Sequence, residues 1–458
     1  MGILLVLAAS LALLPPMFVP VLLGSVAFFA LLKAGGKRFN LIVTLLLLQL
    51  TSSSLDPTMR VAVIGWSFIS LAWFGFVDRE KTDSTVFPKN LLYLMLSTIV
   101  FMVFSSLLSV NMVKSLSATL RQGVFFVFVW LILLNIRNEK DIKTSLVALI
   151  LMGGFNAAGV VYSILTGGIT AGDLLAGPVR FAGIFGFINV NFSGMTIAFA
   201  AMIALLLFHL SDRSNRSARI AFGTLTGFLF TTVIIFNSRA AMLTAMLGLV
   251  VFLLILYPRY RLPFTVAIIS IPLAIFIIPP LNEFVSLLLR FENFLNVRDY
   301  LWGMSWASIQ DHPFLGTGPD LFKDYFYKYM TAPEGSYAHY MITKLYLEAS
   351  DSGLSHNFFL FRFTELGIPG LITSIWLPAL FYRYSIPVMK SLKESDRTGY
   401  ILVAGMVALV SGLLAKGMVE SIGFMTHGWI MVDLPFWICF ITVLFYYRKN
   451  GQTRKEIL

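Results

Sequence analysis

Apolar residues in this chain gather in runs of helical length, not in alternation, and short breaks carrying charge, glycine or proline separate them. The runs fall at about residues 2–14, 17–32, 39–50, 60–77, 88–108, 118–135 and 143–165, then at 189–209, 219–236, 240–257, 262–280, 366–382, 399–416 and 429–447. A bilayer core needs roughly 20 helical residues, so the first three runs are short, and Pro15-Pro16 can join the first two as one broken element. No lysine or arginine precedes the first run and another run follows at once, so it reads as a retained span and not as a cleaved leader. The pattern predicts an all-α polytopic membrane protein, a bundle of about 12–14 transmembrane helices with one large helical loop. Three parts are expected: an N-terminal transmembrane bundle over 1–280, a loop subdomain over 281–365, and C-terminal transmembrane helices with a tail over 366–458.

Composition agrees with that pattern. Hydrophobic residues make up 58% of the 458 and charged residues 12%, too little polar surface to coat a water-soluble globule. Forty-two phenylalanines, 16 tyrosines and 8 tryptophans suit helices packed in lipid better than a polar-lumen barrel. The single cysteine, Cys439, lies in an apolar run, so neither an internal disulfide nor a cysteine-built metal site is expected.

A formal charge of +11 would suggest nucleic acid for a soluble domain, but here the placement of the charges decides, and no nucleic-acid partner is expected. The breaks at 33–38, 78–89, 136–143, 211–219, 257–261, 383–397 and the tail from Arg448 hold 22 of the 34 lysines and arginines, all on one side of the topology. That side is predicted to be cytoplasmic, with the C-terminus there. The stretch 281–365 then lies on the outer side with a net charge of −4, against +15 for the rest of the chain.

The cations left on the outer side need reasons. Arg60, Lys114, Arg121 and Lys416 read as side chains snorkelling to lipid headgroups. Arg239 follows Asn237-Ser238 in a break of about three residues, where a cation is costly unless it faces a cavity or a partner. Either Asn237 or Ser238 can cap the next helix, which puts the guanidinium beside free backbone N–H groups, an anion site. Arg180 sits between glycines in Gly177-Pro178-Val179-Arg180-Phe181-Ala182-Gly183, with Asn189 and Asn191 opening the next span.

In the long loop, Trp302, Trp306 and Ile309 recur at helical spacing with Arg298 one turn ahead, which predicts an amphipathic helix against the membrane, ending at Pro313. The following Phe314-Leu315-Gly316-Thr317-Gly318-Pro319 has no preceding strand and is no nucleotide loop. Later, Ser355 can cap a short helix with His356 in its first turn and Arg362 and Glu365 paired at i, i+3. A helix N-terminus disfavours imidazolium, so His356 is expected to be neutral and able to accept a proton. Asp351, Glu348 and Glu365 are candidates to orient it, and spacing does not choose among them. His209, His312, His339 and His427 suggest no further chemistry, and no group has metal-ligand spacing.

Arg298 with Trp302, then Asp311-His312-Pro313-Phe314-Leu315-Gly316-Thr317-Gly318, then His356-Asn357 with Glu365-Leu366-Gly367-Ile368-Pro369-Gly370-Leu371, together resemble the signature of the O-antigen ligase and polymerase superfamily. Arg180 and Arg239 are also similar to that family's pattern, and the resemblance covers roughly residues 170–380. It implies a GT-C-like membrane glycosyltransferase of the inner (cytoplasmic) membrane, working at the periplasmic face on a glycan carried by undecaprenyl pyrophosphate, without metal, nucleotide or other cofactor. By the same resemblance Arg180, Arg239 and Arg298 contact the donor pyrophosphate and His356 activates the acceptor hydroxyl, with Asn191, Asn357 and Glu365 in support. The chemistry of the residues agrees. A leaving pyrophosphate needs its charge neutralised by multi-donor cations, and a sugar hydroxyl becomes a useful nucleophile when a neutral imidazole takes its proton.

Two versions fit: polymerisation of repeat units of a surface polysaccharide, with a second lipid-linked glycan as acceptor, or ligation of the finished chain to lipid A core in lipopolysaccharide. The former is preferred, because up to fourteen spans exceed the twelve usual for the ligases. Membrane lipids, a flippase and a chain-length regulator are the further expected partners. The rival reading is a transporter of lipid-linked glycans, which calls for charges near mid-membrane and a pseudo-repeat between halves.

Overall fold

A computed structural model describes residues 18–49, 57–77, 87–167, 169–170, 173, 182–183, 186–187, 190–212, 214–289, 297–344 and 355–456. The protein is an all-α polytopic membrane protein: among the described residues nine helices are long and apolar enough to cross a bilayer. They are Lys89–Leu107, Met112–Asn135, Glu139–Gly167, Val190–Leu210, Arg216–Ile235, Arg239–Leu256, Phe358–Ser395, Arg397–Gly417 and Ile430–Glu456. A helix is the form such runs must take in lipid, because it satisfies its own backbone donors and acceptors. The second and third apolar runs form one helix, Phe18–Gln49, kinked at Gly36. The fourth becomes the shorter Pro57–Ala72 helix, which ends in a π turn at Trp73–Val77. The first run lies outside the described residues.

The breaks between runs are helix caps. Asn111, Asn215, Ser238 and Asp396 each accept a backbone N–H three residues on, from Lys114, Ala218, Ala241 and Gly399. Helices meet where side chains are small, as packing in lipid requires. A methyl on Gly412 would strike the backbone of Thr244, and one on Gly153 would strike Ala200 and Thr196. Ion pairs of Lys37 with Asp141 at 2.9 Å, and of Lys449 with Glu139 at 2.9 Å and Asp396 at 3.1 Å, bring four of the basic breaks to one end of the bundle.

Phe358–Ser395 is much longer than the predicted run 366–382. It starts within the stretch read as loop and carries the basic break on its last turns, because solvated charges at the end of a helix do not stop it. The Arg298–Asp311 helix, the turn 312–321 and the Tyr337–Thr343 helix form a small layer at the opposite end from the basic breaks. That layer has its own core of Val297, Leu301, Met304, Phe322, Phe326 and Ile342.

One joint seats this layer on the bundle. The Phe358–Ser395 helix breaks at Gly367, whose φ of 64° is left-handed, and Pro369 has no N–H to give. The released groups find partners in the turn: Thr317 N donates to Thr364 O at 3.0 Å, Gly318 N to Glu365 O at 3.0 Å, and Ile368 N to Pro313 O at 2.9 Å. Ser105 Oγ adds bonds to Leu315 O at 2.6 Å and Glu365 O at 3.1 Å. Gly316 and Gly367 cross with no room for a side chain on either, since a Cβ on one would enter the backbone at Glu365 and on the other the backbone at Phe314. Much of the sequence signature in these two segments is therefore the two faces of one joint.

Candidate functional site

Arg298 opens its helix, where a cation opposes the dipole and the free N–H groups add to the positive potential, so the position calls for an anion. Trp302 and Ser305, one and two turns on, hold the turn before the Phe358–Ser395 helix: Trp302 Nε1 donates to His356 O at 3.4 Å and Ser305 Oγ to Ser355 Oγ at 2.8 Å. Trp302 and Trp306 also flank a groove of about 400 Å³ whose other wall includes Asn357, Phe359 and Phe363.

The expected cap is displaced by two residues. Asn357, not Ser355, is the N-cap, its Oδ1 accepting from Phe359 N and Leu360 N at 3.0 Å each, and Asn357 N donates to Ser421 Oγ at 3.1 Å. Ser355 is instead turned into Ser305. His356 stands before the helix and not in its first turn, with a left-handed φ of 48° that costs energy in a residue with a side chain. What its ring meets is a carboxylate and not a helix dipole.

That carboxylate is Glu420, from the break between Arg397–Gly417 and Ile430–Glu456. His356 Nδ1 lies 3.1 Å from Oε1 and 3.2 Å from Oε2, and Arg298 Nη2 lies 3.9 Å from Oε2. Glu420 is 1% exposed, against 20% for the imidazole and 16% for Arg298. Of the three candidates, Glu365 is engaged elsewhere, and Glu348 and Asp351 lie outside the described residues. Burial pushes the Glu420 carboxyl up, but His356, Lys416 and Arg298 outweigh it and hold the group down at about 2. A depressed carboxylate stabilises the fold above its unfolded value, here 4.5, and that contribution is lost as pH falls towards 2. The stability gap between the wild type and Glu420→Gln, read from thermal unfolding in detergent, is expected to close as pH falls from 4.5 to 2.

Lys416, one turn before Glu420, does not snorkel. It is fully buried, and its Nζ donates to Ile422 O at 2.9 Å, because the loop folds back over the end of the helix and closes it from water. Arg121 and Lys114 are not headgroup anchors either. They pair with Asp320 at 2.7 Å and Asp324 at 2.8 Å, tying the small layer to the Met112–Asn135 helix. Arg60 lies in the short Pro57–Ala72 helix, away from these residues in sequence.

A second histidine and carboxylate lie deeper. His427 Nε2 meets Glu365 Oε2 at 2.5 Å, both nearly fully buried, with Phe361 packed on the imidazole. Glu365 thus takes His427 in place of the expected Arg362. Arg362 is fully buried and, among the described residues, its guanidinium nitrogens find no hydrogen-bond partner, although Glu365 and Asp433 supply compensating charge nearby.

Arg239 opens the Arg239–Leu256 helix, with Ser238 as the cap and Asn237 in the left-handed turn before it. It lies at the same end as Glu420: Gly423 packs beside Met195, and Gly194 beside Ser238 and Ala241. Arg180 is outside the described residues. Asn191 is in the Val190–Leu210 helix, with its side chain outside the description. The structure therefore brings His356, Asn357 and Arg298 together, adds Arg239 at the same end, and introduces Glu420, Ser421 and His427, which sequence reasoning missed. A signal was present: Lys416 and Glu420, four residues apart inside otherwise apolar sequence, are as improbable in lipid as Arg239. Residues 224–375 match the family model described as O-antigen ligase, a span that takes in Arg239, Arg298, His356 and Glu365 and stops before Glu420. No curated protein matches the chain.

Proposed function

From the match of residues 224–375 to the O-antigen ligase family model, we propose that the protein is a membrane glycosyltransferase that moves a glycan from a polyprenyl diphosphate to an acceptor sugar hydroxyl at the periplasmic face of the inner membrane. The observation that carries the reading is the contact of His356 with Glu420 beside Arg298. A carboxylate only accepts hydrogen bonds, so Nδ1 presents its N–H to Glu420 and Nε2 keeps the lone pair, the arrangement a general base needs. In the reaction Nε2 takes the acceptor hydroxyl proton, the acceptor oxygen bonds to the anomeric carbon, and the bond from that carbon to the phosphate oxygen breaks. The lipid diphosphate leaves with the electron pair, and Arg298 and Arg239 receive its charge as it develops. Arg180 is proposed as a third cation there, with Asn191 and Asn357 as supporting groups.

Polymerisation of repeat units is the preferred form of the reaction, and transfer of a finished chain to lipid A core is the alternative. Product length in a deletion strain separates them: single lipid-linked repeats accumulate if polymerisation is lost, and long lipid-linked chains if ligation is lost. Arg239→Lys and Arg298→Lys are each expected to lower kcat/KM about tenfold or more with the charge retained, because an ammonium cannot make the guanidinium's paired contacts to a diphosphate. Wild-type kinetics in both would remove the arginines from the donor site.

A further inference from the structure

One carboxylate serves two masters here. Glu420 accepts from His356 Nδ1 through both oxygens, at 3.1 and 3.2 Å, while Arg298 approaches one of the same oxygens only to 3.9 Å. Glu420 has two further partners. Ser421 N donates to Oε1 at 3.2 Å, and Lys416, the other cation facing it, gives an N–H to the Ile422 carbonyl and acts on Glu420 through its charge. Arg298 is correspondingly underused: its Nε is buried and has no hydrogen-bond partner among the described residues. A guanidinium with a loose ion pair and an unfilled donor is poised to exchange its counter-ion.

We infer that Glu420 couples capture of the donor to activation of the base: an incoming diphosphate takes Arg298, and Glu420 is left with His356 as the one side chain that shares both of its oxygens, Lys416 remaining as its counter-charge. This rests on the reading of Arg298 as a diphosphate contact and of His356 as the base. A diphosphate carries more charge than a carboxylate and offers several oxygens to the Nη groups, so it displaces the 3.9 Å contact. Relieved of the guanidinium, the carboxylate accepts more strongly from Nδ1–H, and Nε2 gains basicity, as it does when a carboxylate backs a reacting histidine. The base is therefore weaker in the empty site and stronger once the leaving group is held. Glu420 touches no reacting atom and is a positioning residue.

The test is the proton resonance of His356 Nδ1–H in nanodisc-embedded protein labelled with 15N-histidine, assigned by its absence in His356→Ala, with inorganic pyrophosphate as the probe. Pyrophosphate is expected to move the resonance downfield in the wild type. Arg298→Ala is expected to show the downfield position without pyrophosphate and to be indifferent to it, and Glu420→Gln to show no movement. If pyrophosphate binds through Arg298 but leaves the resonance in place, or moves it equally in Glu420→Gln, the coupling is wrong and the donor site stands. If pyrophosphate binding, read by 31P line broadening, is the same in the wild type and Arg298→Ala, the donor reading falls and the coupling with it. Should Glu420→Gln fail to fold, the comparison of the wild type with Arg298→Ala still decides.

Discussion

Replacing His356 by alanine is expected to lower transfer by about 10²–10⁴-fold, the usual worth of a positioned general base. The protein should remain folded in the membrane. The imidazole is 20% exposed on a turn outside the helices, so its removal empties no core, and Glu420 keeps Arg298 and Lys416 as counter-charges. Initial rates with a lipid-linked donor, taken beside thermal unfolding of the same preparations, check both halves. A wild-type rate would strip His356 of its role, and a rate that falls only in step with unfolding would make that role structural.

Gly367→Ala is expected to have the largest effect on stability. Its φ of 64° disfavours any side chain, and a Cβ there would enter the backbone of Phe314 and lie 2.6 Å from Leu315 N. Neither partner is a flexible side-chain end, so the turn must be pushed off the helix break, and the hydrogen bonds of Thr317, Gly318 and Ile368 go with it. Overpacking and left-handed backbone together cost on the order of 3 kcal/mol or more. Gly154→Ala, in the Glu139–Gly167 helix with nothing within 4 Å of the added methyl, is the control and should be neutral or slightly stabilising. Equal melting temperatures for the two variants would mean that the joint does not hold the small layer to the bundle.

The membrane architecture was legible because lipid imposes one rule on every run: enough apolar residues to cross, closed by a cap. Ser238 behaves as the sequence suggested for the start of the Arg239 helix, and a helix stands over Arg298–Asp311 as expected, although Ile309 is buried with Leu301 and Met304 while Trp306 is exposed, so the three apolar residues do not share one outward face. The candidate site was legible in Arg298 and His356, which stand out against loop and lipid alike and which the structure brings to one carboxylate. Its carboxylate was not. Glu420 is 64 residues from His356, and no local spacing connects a turn before one span to the break between two others. Ser355 and Asn357 are equally good caps by type, and only the pull of Ser305 on one and of Ser421 on the other decides between them. Arg362 and Glu365 illustrate the same limit: the i, i+3 spacing allows a pair, and a histidine arriving from residue 427 takes the carboxylate instead.

Bond formation is the decisive observable, because a lipid-glycan transporter would also place cations at this end of the bundle. Purified protein in vesicles, given a polyprenyl-diphosphate-linked glycan and a defined acceptor, should yield a new glycosidic linkage by mass spectrometry with one polyprenyl diphosphate released per bond, and the His356→Ala protein should form it about 10²–10⁴-fold more slowly. Passage of the lipid-linked glycan across the vesicle bilayer with no new linkage, in wild-type protein that is folded and supplied with acceptor, would contradict a transferase.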